Sequence, residues 1–155
     1  MPIVEPSEMK SALPPRGRLL GFDLGTKTIG LAVSDSMLMV SSPLETLRRT
    51  KFTADAEKLL ALIAEKGVGG LVLGLPRNMD GSEGPRAQST RAFASNMAVK
   101  VDLPITFWDE RLTTAEAERV LIDQADMNRK RRGEVIDKMA ASIILQNYLD
   151  FLRNS

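Results

Sequence analysis

The chain has 155 residues, 43% hydrophobic and 26% charged, the balance of one globular domain rather than a disordered segment. It contains neither cysteine nor histidine, which excludes disulfides, thiol nucleophiles, the Ser-His-Asp triad and Cys- or His-ligated zinc, and leaves oxygen-rich sites for magnesium, manganese or calcium. Basic and acidic residues nearly balance, 21 against 20, so a polyanionic partner must be met by a local patch rather than by net charge.

Residues 1–17 carry four prolines and no uninterrupted apolar core. They are expected to form a flexible tail ahead of a domain spanning 18–155. No apolar run is long enough to span a membrane, and a cytoplasmic protein is expected. Arg18–Leu24 is short and apolar, and Thr28–Ser34 follows after a brief turn, so the two predict a hairpin. A third strand is expected over Met37–Leu44. Thr53–Lys66 has helical periodicity, with Gly67 as a stop. Gly70–Leu75 (GLVLGL) is the continuous apolar run of a strand covered on both faces. A polar loop, Pro76–Pro85, leads to a helix over Arg86–Lys100 and a strand over Ile105–Trp108. Thr113 and Glu116 fit a capping box for a helix reaching about Gln124. Ala125–Gly133 is expected to be a basic break before a last helix, Glu134–Leu152. Strands first, then strand–helix alternation, predict a single α/β domain with a mixed central sheet and helices on both faces.

Three acids stand out by position. Asp23 closes the first strand, where open α/β sheets place ligands; its plain alternative is a turn aspartate bonding nearby backbone. Asp109 and Glu110 close a later strand. Successive strand residues face opposite sides, so spacing leaves open which of the two enters a common site. Asp137 shares a helical stripe with Ala140, Ala141, Ile144 and Tyr148, where an unpaired carboxylate is costly. Its plain alternative is a boundary acid paired with Lys138 or an arginine. Three acids from three elements can hold two magnesium ions about 3.5–4 Å apart, an arrangement suited to phosphodiester cleavage.

Around them, Arg77 and Asn78 lie in the Gly-rich loop and Arg86 opens the next helix, suited to phosphate contact unless the loop is merely solvated. Arg111 follows Glu110 directly. Arg129, Lys130, Arg131 and Arg132 form the one dense basic run, a candidate for phosphate-backbone binding or an ordinary solvated loop. Phe107 and Trp108 are expected to be core rather than base-stacking platforms.

Gly21–Lys27 (GFDLGTK) with Ile29–Asp35 (IGLAVSD) resembles the opening of the YqgF family, also called RuvX-like, whose members are described as pre-16S rRNA nucleases or Holliday junction resolvases. Gly74–Pro85 (GLPRNMDGSEGP), Trp108–Thr114 (WDERLTT) and Asp137–Ala141 (DKMAA) with Ile144–Gln146 are similar to its later blocks, so the likeness spans about Leu20 to Leu152. Thr28 departs from it, standing where the family often has a basic residue, and the segment before Gly17 is extra. The resemblance implies a ribonuclease H-like fold and a phosphodiesterase dependent on Mg2+ or Mn2+. It implies Asp23, Glu110 and Asp137 as catalytic and metal-binding acids, choosing Glu110 over Asp109. It implies pre-16S rRNA 5′-end processing in ribosome biogenesis, with Holliday junction resolution as the alternative.

Other readings weigh less. A non-catalytic nucleic-acid or transcription factor has no need of the acids, and all three are present. Asp23–Thr26 also resembles the start of sugar-kinase and actin-type ATPase domains, which need two such lobes where 155 residues offer one. The expected partner is structured RNA or branched DNA, bound by a monomer or weak homodimer.

Overall fold

The computed structural model describes residues 3–78, 80–109 and 129–154, and for 129–137 the helical backbone alone. Among the described residues five strands form one mixed sheet: β1 Arg18–Leu24, β2 Thr28–Ser34, β3 Ser41–Arg48, β4 Val68–Leu75 and β5 Ile105–Asp109. Their order is β3-β2-β1-β4-β5. The hairpin partners β1, β2 and β3 run antiparallel, while β4 and β5 run parallel to β1. The carboxyl ends of β1, β4 and β5 therefore meet at one end of the sheet.

Strand alternation feeds two cores. On one face Leu20, Phe22, Ile29, Leu31, Leu71 and Leu73 pack against α2 (Phe52–Lys66) and α3 (Pro85–Lys100) through Leu59, Phe93, Ala94 and Met97. On the other, Leu19, Ala32 and Val72 pack beneath the last helix, α4 (Arg129–Arg153), through Ala141, Leu145, Tyr148 and Leu149. Phe107 sits with the first core and Trp108 with the second, against Tyr148 and Phe151 at centroid distances of 5.4 and 5.1 Å. Both aromatic rings thus serve the cores.

The expectation of a flexible tail over 1–17 is corrected for its described residues, 3–17. Pro6–Glu8 forms a 3-10 turn that runs into a single helical turn, α1 (Met9–Ala12). Ile3 bridges Ile105 in parallel, and the Val4 N–H donates to the Ile105 carbonyl at 2.8 Å. The Tyr148 hydroxyl donates to the Pro6 carbonyl at 2.6 Å. Burial pushes that phenol's pKa up, so it stays a donor. Met9 is fully buried against Gly70, where an added Cβ would stand 2.8 Å from the Met9 sulfur. The prolines suggested disorder; Pro6 instead opens the 3-10 turn, and Pro14 packs on Gly69.

Two other boundaries move. The third strand is Ser41–Arg48 rather than Met37–Leu44, because residues 35–40 form a turn. In it the Asp35 carboxylate accepts the Met39 and Val40 N–H groups, and Leu38 takes a positive φ of 57°. The basic run lies within α4 instead of a break before it. Lys and Arg are good helix formers, and the roughly 1 kcal/mol cost of a lone Gly133 is offset by the packed face that follows. The helix expected over 113–124 lies outside the described residues.

Gly21 sets how closely α4 approaches β1. A Cβ there would stand 2.9 Å from the Leu145 Cβ and 3.3 Å from the Ala141 carbonyl oxygen. Gly21→Ala is expected to lower stability by about 1–3 kcal/mol through overpacking, as read by urea unfolding. An unchanged midpoint would show that α4 gives way freely.

Candidate active site at the carboxyl end of the sheet

Asp23 is the penultimate residue of β1. Parity places its side chain with Leu19 and Gly21 on the face that α4 covers. Its partner on β2 is Gly30. One step beyond the Phe22–Leu73 pair on β4 stands Gly74, which is itself paired with Trp108 on β5. The row across the sheet at this level is thus Gly30, Asp23, Gly74, Trp108. Glycine occupies the position beside Asp23 on both neighbouring strands.

Asp109 ends β5 opposite Leu75. By the same parity it falls on the Phe107 side, the face away from Asp23. Glu110 and Arg111 lie outside the described residues. Asp137 lies on the α4 backbone one turn before Ala141, in line with buried Ala141, Ile144 and Tyr148. Ala141 is the residue whose carbonyl approaches Gly21. Asp137 is therefore about 6 Å along the helix from that approach, and Asp23 about 6.6 Å along the strand from it. The helix is held in place by β3 and the turn before it: the Ser41 N–H donates to Gln146 Oε1 at 2.8 Å, the Ser41 hydroxyl to the Ser142 carbonyl at 2.9 Å, and Gln146 Nε2 to the Met39 carbonyl at 3.1 Å. Among the described residues no three carboxylates cluster; Glu110 and the Asp137 side chain fall outside them.

The loop after β4 is more tightly organised than a solvated surface loop. The Asn78 N–H donates to the Ser82 carbonyl, and its amide to the Ser82 hydroxyl at 3.0 Å. Glu83 binds Arg91 through two hydrogen bonds, at 2.6 and 2.7 Å, and lies 3.6 Å from Arg77. The Arg91 hydrogen bonds, helped by the charges of Arg91 and Arg77, hold the Glu83 carboxyl below the usual carboxylate range. Arg91 also covers the Phe107 ring at 4.9 Å. Arg77 thus faces the loop's own acid, and Asn78 braces the loop. Arg86 differs: its guanidinium donates to the Leu24 carbonyl at 3.2 Å, directly after Asp23. Arg129, Lys130, Arg131 and Arg132 occupy four successive helical positions, spread round one full turn.

Sequence reasoning missed the glycine pair beside Asp23 and missed Arg49, whose guanidinium donates to the Gly25 carbonyl at 2.7 Å. Strand registers reveal the glycines. No local signal marks Arg49, which lies 24 residues from its partner.

The family model described as "RuvX: Holliday junction resolvase" matches residues 17–151. The chain belongs to the RuvX family. It is 63% identical over 145 residues to the "Putative pre-16S rRNA nuclease" of Cereibacter sphaeroides (strain ATCC 17025 / ATH 2.4.3), covering 94% of this chain and 90% of that one. A Paracoccus denitrificans protein of the same name is 64% identical over 142 residues, covering 92% and 89%. Among solved structures, Thermus thermophilus RuvC in complex with a Holliday junction superposes with a TM-score of 0.51 at 12% identity, over 88% of this chain and 96% of that one. The Fowlpox virus resolvase–junction complex gives 0.54 at 8% identity, over 87% and 98%. At such identities the likeness concerns the fold. The chain has the ribonuclease H-like fold of these structures, as the sequence resemblance implied.

Proposed function

We propose that this RuvX-family protein is a metal-dependent endonuclease that hydrolyses phosphodiesters in structured nucleic acid and processes the 5′ end of pre-16S rRNA. The observation that carries the reading is Asp23, set between Gly30 and Gly74 at the carboxyl end of the sheet, on the face covered by the helix bearing Asp137. Family membership supports the phosphodiesterase activity, and the names of the relatives support the rRNA substrate. The family description favours a second reading, resolution of four-way DNA junctions. Cleavage of end-labelled pre-rRNA and of four-way junctions, each with and without magnesium or manganese, separates the two.

The donor chemistry fits a hard divalent cation. The chain offers no His or Cys, and the site's own donors are carboxylate oxygens. Asp23, Glu110 and Asp137 are the residues that would hold it. When bound, such a cation polarises the phosphate and activates the attacking water. At the flanking glycines a phosphate beside Asp23 would meet no Cβ of the directly paired residues. The close seat of α4 on Gly21 fixes where the backbone of Asp137 stands. Activity is expected to vanish with chelator and to return with magnesium or manganese. Undiminished cleavage after exhaustive metal removal overturns this reading.

Arg77, Asn78, Arg86, Arg111 and the basic run of α4 are the proposed nucleic-acid contacts. Four successive positions of a helical backbone cover one full turn, of which a bound strand meets about half. Replacing Arg129, Lys130, Arg131 and Arg132 with Ala is therefore expected to flatten the slope of log affinity against log salt by about 1.8. That equals two duplex phosphates at about 0.9 each, rather than the roughly 3.6 of four. A salt titration in calcium checks it, and an identical slope would make the run a solvated helix face.

A further inference from the structure

A cleft of about 500 Å³ opens beside the end of β1, on the α2/α3 side of the sheet. Leu24, Gly25 and Thr26 form one wall, Arg49 and Thr50 a second, and Arg86 and Ser89 of the first turns of α3 a third. Its two cations are fixed, since Arg49 donates to the Gly25 carbonyl at 2.7 Å and Arg86 to the neighbouring Leu24 carbonyl at 3.2 Å. Arg49 also lies 5.9 Å from the centre of the Phe93 ring. Each of these hydrogen bonds uses one of a guanidinium's five N–H donors. The described lining residues include no acid. Asp55, which binds Thr50, is 3% exposed and accepts the Thr50 N–H and hydroxyl at 3.0 and 2.7 Å.

Two guanidinium groups held at successive carbonyls, with no carboxylate among the described lining residues, give the cleft a positive lining that suits an anion. Thr26 and Ser89 are exposed hydroxyls on the rim. Their chemistry and the planar donors of arginine suit a tetrahedral phosphate better than a carboxylate-bearing peptide. The cleft adjoins Asp23 through the chain itself, because Leu24 and Gly25 are the next two residues.

We propose that this cleft holds a backbone phosphate of the nucleic-acid substrate next to the one being cleaved, with Arg49 and Arg86 as its cationic walls and Ser89 and Thr26 as its hydroxyl rim. The proposal rests on the nuclease reading above and adds Arg49, Thr26 and Ser89 to it. Arg49 and Arg86 bind and orient the strand; they are positioning residues.

The test is a salt titration of duplex RNA binding in calcium, using the full chain. Arg49→Gln and Arg86→Gln are each expected to flatten the log–log salt slope by about 0.9, and the double variant by about 1.8. Ser89→Glu keeps both arginine clamps while placing a negative charge in the cleft. It is expected to weaken binding roughly tenfold or more with an unchanged melting temperature. Native slopes in the arginine variants, or native affinity in Ser89→Glu, overturn the proposal. So does saturable binding of inorganic phosphate that the arginine variants lose while their RNA slopes stay native, since that assigns the cleft to free phosphate. Asp23→Asn runs alongside and should bind RNA with the native slope while losing cleavage. Full cleavage by that variant would instead count against the nuclease site and leave the cleft standing.

Discussion

Asp23→Asn is expected to lower cleavage by about 10²–10³-fold, matching the roughly 2.7–4 kcal/mol lost when one preorganised electrostatic group is removed from a site. The substitution keeps the side chain's shape and removes the charge that would hold a cation. Glu110→Gln and Asp137→Asn are expected to match it, and the double variants to be little worse than the singles, because groups acting as one unit are not additive. The fold should survive in all three. Stability is expected to be unchanged or raised, since mutually repelling carboxylates are relieved. Single-turnover cleavage with magnesium, read beside a thermal melt, checks each. Full activity in any one variant removes that residue from the site.

Met9→Ala should cost about 2–5 kcal/mol in urea unfolding, the range for truncating a large buried side chain. Met9 has no exposed surface and seats α1 on Leu19 and Gly70. A flexible tail would show no effect at this position, so a change within about 0.5 kcal/mol would return residues 3–13 to that status. Loss of stability with intact cleavage at low temperature would show that the segment supports the scaffold rather than the chemistry.

Much of the scaffold was legible in the residues. β1 and β2 have the expected bounds because their apolar runs are short and sharply ended. Gly67 stops α2 where expected, with φ 65° in the left-handed region that glycine tolerates. β3 was misplaced because its half-buried residues carry a weak pattern, while the apolar Met37–Val40 stretch looks like a strand but is turned by the Asp35 carboxylate. Proline content hid the N-terminal segment, whose order comes from partners far along the chain, Ile105 and Tyr148. At the site, Asp23 showed itself by closing an apolar strand. Gly30 and Gly74 gained meaning only through pairing registers. The Asp109/Glu110 choice is open in the sequence pattern itself; Asp109 falls on the face away from Asp23, and Glu110 lies outside the described residues. Arg77 was chosen for its charge, and its neighbour Glu83 was not weighed.

The short pairing of Ile3 and Val4 with Ile105 has a bearing on how copies of this chain meet. An open β5 margin would offer a row of donors and acceptors on which a second sheet can grow, and this segment occupies the start of that row. At the opposite margin, β3 carries Pro43, which has no N–H to give, and Glu45, whose charge resists a dry seam. Both rims are guarded against strand-to-strand growth. Any dimer this protein forms is therefore expected to join through helices or loops, leaving the sheet finite and its carboxyl end accessible to a long, stiff polyanion.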